Sequence, residues 1–139
     1  AALVRHLRRK KPCYLGFRCI KVKSMNAPHR LDTQLLKGSS DILILSVLAE
    51  GPLHGYGLAR SLEDKTGGAL LMNEGVLYPT LHRLEREGCV AAEWEPVTTG
   101  RRRRVYSLTR SGRRRLEEKR EDWNQFVRVL RLVVGGSHA

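Results

Sequence analysis

Several features are scarce in this chain of 139 residues, and each absence removes a class of protein. The longest uninterrupted apolar runs have four residues, as in 42–45, whereas a membrane-spanning helix needs about 20. The three cysteines form no Cys-x-x-Cys pair, which argues against a disulfide framework or a zinc ribbon. The five histidines are not spaced i, i+3 or i, i+4 with one another or with a cysteine, so neither a metal site nor a cofactor is expected. The N-terminus also lacks the apolar region of a secretory signal, and a cytoplasmic location is therefore expected.

Arrangements typical of enzymes are also missing. No Ser/His/Asp or Cys/His set occurs in a motif context, no glycine loop could cradle a phosphate, and no carboxylates are paired for acid–base chemistry. Gly55 and Gly57 give only Gly-x-Gly, which is too short a pattern to indicate nucleotide binding. The sequence therefore predicts a protein that is not an enzyme.

The charge of the chain is strongly positive and unevenly distributed. Lys and Arg number 26 against 14 Asp and Glu, which gives a formal net charge of +12. Residues 1–25 and 101–115 each carry eight basic residues and no acid, whereas residues 26–100 carry ten acids and six bases. Two basic clusters beside a mildly acidic domain favour a polyanionic partner, most often nucleic acid, over a merely solvated surface.

The first basic cluster differs in composition from everything that follows Met25. Residues 1–24 show no sustained helical or strand period. Two interpretations remain open. The segment is a basic arm that follows DNA phosphates or a minor groove, or it is a disordered or spurious stretch upstream of a true translation start at Met25.

From residue 35 the hydrophobic pattern predicts helices. Ser39 and Ser40 are candidate caps for a first helix, and Gly51-Pro52 ends it because proline cannot continue the hydrogen-bond ladder. A second helix is expected over about 54–65, where leucines are spaced i, i+4 and a pair of glycines follows.

A third helix, capped by Asn73 and ended by Gly88, has two different faces. Its apolar stripe consists of leucines at i, i+4 and i+7: Leu77, Leu81 and Leu84. Its opposite face, with Tyr78 on the flank, collects Gly75, Pro79, His82, Arg83 and Arg86. Pro79 is expected to mark a tight first turn. Such a helix suits a major groove, although an ordinary amphipathic surface helix has the same pattern.

Two short strands are expected after the third helix. Alternating residues over 89–95 and 105–108, joined by a turn-rich stretch, predict a β-hairpin. Arg101 to Arg104 lie at its tip and return strand, and four adjacent arginines are poorly explained by packing. Three helices followed by a hairpin with a basic tip is the order of a winged helix-turn-helix. The expected fold is thus mainly α with a small β-hairpin, and the arginines are expected to contact phosphates.

The last predicted element is one long helix over 109–134. Its apolar residues within an arc of about 60° are Leu116, Trp123, Val127, Leu130 and Val134. A narrow seam beyond a complete small domain predicts contact with a partner chain, and burial on the chain's own domain is the alternative. The chain is accordingly divided into a basic arm (1–24), a winged helix-turn-helix domain (33–109) and a dimerisation helix (110–135).

Four motifs together resemble the PadR family of bacterial transcriptional regulators, specifically the smaller subfamily with one C-terminal helix. The motifs are Leu-Lys-Gly-Ser at 36–39, Gly-Pro-Leu-His-Gly-Tyr at 51–56, Gly-Val-Leu-Tyr-Pro-Thr-Leu-His-Arg-Leu-Glu at 75–85 and Arg-Val-Tyr-Ser-Leu-Thr at 104–109. Two features depart from the family pattern. Asn73 stands where Ser or Thr is usual, and residues 1–24 have no family counterpart.

The resemblance implies a homodimeric repressor that binds a palindromic operator, with the third helix in the major groove, the wing on the backbone and the last helix at the dimer interface. Phosphate contacts are expected from the start of the second helix (His54, Tyr56) and from the wing (Arg101, Arg102, Arg103), and Asn73 is expected to contact a base or a phosphate. Contacts with base edges are expected from Tyr78, His82, Arg83 and Arg86.

Two further hypotheses remain from the sequence. Trp123 is similar to a position at which some multidrug-sensing relatives hold flat aromatic ligands, so one hypothesis is a small aromatic effector, with simple interface packing as the alternative. A basic RNA-binding or ribosome-associated protein is the other function class. It is disfavoured because no aromatic stacking platform is evident.

Overall fold

The computed structural model describes residues 30–96 and 100–135, which form four helices and a three-stranded sheet. In chain order the elements are α1 (Thr33–Leu48), β1 (Leu53–His54), α2 (Gly55–Lys65), α3 (Glu74–Arg86), β2 (Val90–Glu95), β3 (Arg103–Leu108) and α4 (Arg110–Val134). This is the predicted winged helix-turn-helix order followed by a long helix. The predictions for residues 1–24 and for the centre of the turn at 97–99 lie outside the described residues.

The three helices α1, α2 and α3 pack around one apolar core. The largest side chains at its centre have less than 2% of their surface exposed: Ile44, Leu45, Leu58, Leu77, Leu81, Leu84 and Val90. The leucine stripe predicted for the third helix therefore faces the core, as a 3.6-residue period requires. Full burial of each such side chain contributes about 1.5–3 kcal/mol to stability.

The start of α1 differs from the prediction. The cap is Asp32, whose side chain accepts a hydrogen bond from the amide of Gln34 at 3.1 Å. Ser39 and Ser40 lie inside the helix, where the Ser39 hydroxyl donates to the carbonyl of Leu35 at 2.8 Å. The predicted cap is wrong because a serine hydroxyl can bond to the preceding helical turn as well as cap a new one.

The cap of α3 is the predicted one. The side-chain oxygen of Asn73 accepts a hydrogen bond from the amide of Val76 at 3.1 Å. Pro79 lies in the second turn of a continuous helix rather than in a tight first turn, so it removes the bond that would reach the carbonyl of Gly75. Gly75 and Pro79 are both exposed. Solvent can therefore satisfy that carbonyl, and the helix continues past the proline.

The sheet is antiparallel and has the strand order β1-β3-β2. Strands β2 and β3 form the predicted hairpin and are called the wing below. Strand β1 was not predicted, because two residues are too few for alternation to reveal a strand. It pairs Leu53 with Tyr106 and His54 with Val105. The start of α2 is thereby held against the base of the wing.

The beginning of α4 is clamped to the turn that ends α3. Thr109 caps α4, its hydroxyl donates to the carbonyl of Gly88 at 2.6 Å, and its amide donates to the carbonyl of Cys89 at 3.1 Å. Gly112 lies so close to this turn that an added Cβ would collide with the Cys89 carbonyl oxygen. Only glycine fits at this position without a shift of the backbone.

The apolar residues of α4 fall into two groups. Leu116, which was predicted at a partner-facing seam, is 2% exposed and belongs to the core of its own chain. From Trp123 onwards the apolar side chains are largely exposed. We call one set of them the apolar face of α4: Trp123, Phe126, Val127, Leu130, Val133 and Val134. The predicted seam therefore loses Leu116 and gains Phe126 and Val133.

Three further observations concern the described residues alone. None of their helices is both long enough and apolar enough to cross a membrane. They contain no group of three or more His, Cys, Asp or Glu side chains placed to hold a metal ion. Cys89, the cysteine within this range, is buried and has a free thiol.

Candidate nucleic-acid interface

An open groove of about 860 Å³ lies between α2, Tyr78 of α3 and the wing. Strand β1 brings these parts together, because it pairs with β3 immediately before α2 begins. The basic and aromatic side chains that line the groove are His54, Tyr56, Arg60, Lys65, Tyr78, Arg101, Arg102, Arg103, Arg104 and Tyr106. The sequence-predicted phosphate contacts at the start of α2 and on the wing thus share one surface.

The cations of the groove differ in how far they are neutralised. Arg60 is paired with acids of its own helix, and Lys65 lies 2.6 Å from Glu50. Arg101–Arg103, by contrast, are exposed and form no ion pair within residues 30–96 and 100–135. The attraction of this groove for an anion therefore comes mainly from these three arginines.

Two glycines explain how the aromatic side chains reach the edge of the groove. A Cβ at Gly55 would lie 2.7 Å from the hydroxyl oxygen of Tyr78, so only glycine lets Tyr78 pack across the first turn of α2. A Cβ at Gly57 would lie 2.8 Å from Nδ1 of His54, so that side chain folds back over Gly57. Between them, Tyr56 is 72% exposed. The rings of Tyr78 and His54 thus pack against the first turn of α2, and the ring of Tyr56 is open to solvent.

The outward face of α3 is narrower than the sequence predicts. It consists of exposed residues spaced i, i+4, i+7 and i+11: Gly75, Pro79, His82 and Arg86. The side chain of His82 is 55% exposed, and its Nδ1 lies 4.0 Å from Oε2 of Glu85. This face therefore offers one imidazole and one guanidinium to a ligand.

Arg83 was expected on this face, but the structure turns it towards α1. Its guanidinium forms an ion pair with Asp41 of α1 and a second with Glu87 at 3.2 Å. The hydrogen bond with Asp41 raises the pKa of Arg83 above its ordinary value, against the opposite effect of partial burial. Two carboxylates thus compete with any base or phosphate for this guanidinium, and Arg83 joins α3 to α1.

Arg104 also differs from its three neighbours in the run of arginines. Its Nη2 donates to Oε1 of Glu85 at 2.6 Å, and its Cζ lies 6.0 Å from the ring centroid of Trp94 and 5.8 Å from that of Tyr106. Arg104 is therefore less available for a phosphate contact than its three neighbours, because its guanidinium is held by groups of its own chain. Burial raises the pKa of the Tyr106 hydroxyl, and the neighbouring Arg104 charge opposes this effect.

A second cleft, of about 290 Å³, lies between α1 and α4. Its walls are formed by Gly38, Asp41, Ile42, Lys119, Asp122, Trp123 and Phe126. The rings of Trp123 and Phe126 lie 5.8 Å apart between centroids and are tilted by 43°. The residue predicted as a ligand contact thus faces a small cleft rather than a closed pocket.

A helix-turn-helix whose outward helix lies beside a basic wing defines a winged-helix DNA-binding protein. Residues 44–118 match the transcriptional regulator PadR-like family, and the chain belongs to this family. The transcriptional regulator Rv3488 of Mycobacterium tuberculosis is 39% identical over 93 residues, which cover 67% of this chain and 80% of the relative.

Solved structures of regulators give the same result. A transcriptional regulator from Clostridium thermocellum has a TM-score of 0.67 and 29% identity, covering 72% of this chain and 94% of its own. A PadR family transcriptional regulator from Eggerthella lenta has a TM-score of 0.66 and 31% identity, covering 75% of this chain and 88% of its own.

These comparisons confirm the family resemblance that the sequence motifs indicated. The protein is a transcriptional regulator of a DNA-binding family and not an enzyme. The family assignment favours this function over the RNA-binding or ribosome-associated alternative.

Proposed function

We propose that this protein is a homodimeric repressor that binds a palindromic operator in the nucleoid of a bacterial cytoplasm. The observation that carries the proposal is the groove beside α3, where Arg101–Arg103 are exposed and unpaired within the described residues. In this arrangement α3 enters the major groove and the wing lies on the flanking phosphates.

The structure supports different roles for the basic residues around α3. We assign phosphate contacts to Arg101–Arg103, Tyr56 and His54, which line the groove, and to Asn73, which is exposed at the start of α3. We assign base edges to Tyr78, His82 and Arg86, because they lie on the outward face of α3 or at its margin. Arg83 is proposed to hold α3 against α1, since two carboxylates already bind it.

The partner of the apolar face of α4 is proposed to be a second copy of the chain. Trp123, Phe126, Leu130 and Val133 are spaced by three, four and three residues, which is the a/d spacing of a coiled coil. Leu130 remains 45% exposed and Val133 79% exposed in a single chain. A two-fold dimer through this face would bury the stripe and present two α3 helices to two half-sites.

The proposal is tested by selecting binding sites from random duplexes with the purified full chain. We expect an inverted repeat whose half-sites lie about one helical turn, or a multiple of one turn, apart. His82→Ala is expected to relax the preference at individual base pairs, by about 1–3 kcal/mol for a good contact.

Arg83→Ala is the matched comparison on the same helix. It is expected to lower the free energy of unfolding and to leave the base preference intact, because it breaks ion pairs with Asp41 and Glu87. Recovery of no common sequence would contradict an operator-binding function. Loss of preference at single base pairs in Arg83→Ala would return this residue to the base-contacting set.

A small aromatic effector at Trp123 is a second hypothesis, supported by the cleft that Trp123 and Phe126 line. The volume of this cleft, about 290 Å³, is at the lower end of the range for small-molecule sites. In a Trp94→Phe background, which leaves Trp123 as the reporter, a planar aromatic ligand is expected to quench the fluorescence and to change operator affinity. A broad panel of such compounds without either effect would leave Trp123 with a packing role alone.

A further inference from the structure

One ion pair joins the two elements that are proposed to contact DNA. Arg104 belongs to β3 of the wing, and Glu85 belongs to α3. Their side chains meet at 2.6 Å between Nη2 and Oε1, and they are 31% and 29% exposed. The remaining carboxylate oxygen of Glu85 lies 4.0 Å from Nδ1 of His82 on the outward face of α3. A single carboxylate thus lies between the base of the wing and a proposed base-contacting residue.

The surroundings of Arg104 restrict its guanidinium to this position. Trp94 is its partner across the strands, Tyr106 lies two residues along the same strand, and both rings lie within about 6 Å of Cζ. The Nε atom of Arg104 is buried and donates no hydrogen bond within the described part of the chain. The adjacent Arg103 is exposed, by contrast. The side chain of Arg104 therefore points into the junction between the wing and α3, whereas that of Arg103 points to solvent.

We infer that Arg104 is a positioning residue that fixes the angle between the wing and α3 through Glu85, and that it makes no phosphate contact. The inference rests on the proposed DNA-binding mode. Phosphate contacts set the register of a protein on the duplex, whereas contacts with base edges supply specificity. Both sets form together only when the wing and α3 have the correct mutual orientation, and the ion pair holds that orientation before DNA is bound.

Neutralising Glu85 should either strengthen or weaken DNA binding, depending on what the side chain does. An acidic side chain beside a DNA-binding surface repels phosphates, so its neutralisation should strengthen binding to any duplex if charge alone matters. If Glu85 holds the wing in place through Arg104, its neutralisation weakens binding to the specific site instead. The two roles predict opposite changes.

The experiment compares two labelled duplexes of about 30 base pairs, long enough for two half-sites with flanks: the sequence recovered by selection and a mixed sequence. For Glu85→Gln and for Arg104→Gln, we expect the ratio of the two affinities to fall by about 3- to 10-fold. The double variant is expected to fall no further than either single variant, because both remove the same ion pair. The slope of log affinity against log salt should stay at the wild-type value, since no phosphate contact is lost.

Two variants serve as references. Arg102→Gln changes an exposed arginine of the same run, and it should weaken binding to both duplexes equally and flatten the slope by roughly 1.8, because the dimer loses one contact on each wing. Glu117→Gln removes the partner of Arg120 on α4, and it should change neither the ratio nor the slope. If Arg104→Gln proves unfolded by circular dichroism, Arg104→Lys replaces it. Lysine keeps the charge but cannot reproduce the planar contacts, so the ratio should still fall.

Several outcomes would overturn the inference. One is tighter binding of Glu85→Gln to both duplexes with an unchanged ratio. Another is an Arg104→Gln variant that flattens the salt slope as Arg102→Gln does, which would make Arg104 a phosphate contact. A loss of preference at one base pair alone would make Glu85 a base contact. A wild-type protein with no salt-dependent binding to either duplex would instead contradict the proposed function itself.

Discussion

A protein that carries both Trp123→Asp and Leu130→Asp is expected to be monomeric and to lose most of its affinity for the operator. In the proposed dimer these positions lie one heptad apart on the apolar face of α4, where each added carboxylate would lose its water without gaining a partner. We expect the dissociation constant of the dimer to rise by more than about 1000-fold. Operator affinity should fall by about 100-fold or more, because each monomer then binds a single half-site.

The measurement combines sedimentation equilibrium with a titration of the selected operator. Gln125→Asp together with Leu132→Asp is the matched control, since it adds two carboxylates to the opposite side of the same helix segment. The control variant should stay dimeric and bind normally. The dimer model would be abandoned if the Trp123/Leu130 variant sedimented as a dimer, or if it bound the operator normally as a monomer.

The second large effect is expected from the wing. Replacement of Arg101, Arg102 and Arg103 by alanine should weaken binding to every duplex, because these exposed arginines carry the positive charge of the groove that no acid in the described residues neutralises. The dimer has two wings, so it loses six phosphate contacts, and at roughly 0.9 per contact the slope of log affinity against log salt should flatten by about 5.4. Affinity at physiological salt is expected to fall by at least about 100-fold.

A triple variant of equal charge separates local contacts from the general field of the protein. Arg120, Arg128 and Arg131 lie on α4, and their replacement by alanine also removes three positive charges. That variant should keep a slope close to the wild-type value. A wing variant that retained the wild-type affinity and slope would show that the wing does not lie on DNA.

The sequence predicts those parts of the fold that depend on periodicity and local caps. The leucine stripe of α3, its cap at Asn73 and the hairpin that follows were all predicted. They depend on contacts within one element or between neighbours in the chain. The failures have two causes. A serine can cap a helix or bond to the preceding turn inside one, as Ser39 does, and a two-residue strand such as β1 exists only because β3 lies beside it.

The sequence does not predict which side chains pair with the residues on the two flanks of α3. A helical wheel separates the buried face from the outward face, but it cannot say which element packs against each flank. On one flank Arg83 pairs with Asp41, which is 42 residues away in the sequence. On the other flank Glu85 pairs with Arg104, which is 19 residues away. Neither partner is visible from the local pattern. For the same reason the sequence does not distinguish Arg104, which pairs with Glu85, from the three exposed arginines before it.

The clamp between Thr109, Gly112 and the turn after α3 gives α4 the mechanical character of a lever. With 25 residues at 1.5 Å each, the helix is about 37 Å long, and its root cannot pivot against α3 without breaking the contacts at Cys89. The ion pair between Arg115 and Glu87 braces the same joint. In the proposed dimer, a change of a few degrees in the crossing angle of the two α4 helices would therefore swing each α3 by about 2–3 Å. The distance between the two α3 helices thus depends on how the two α4 helices cross, at a site remote from any base pair.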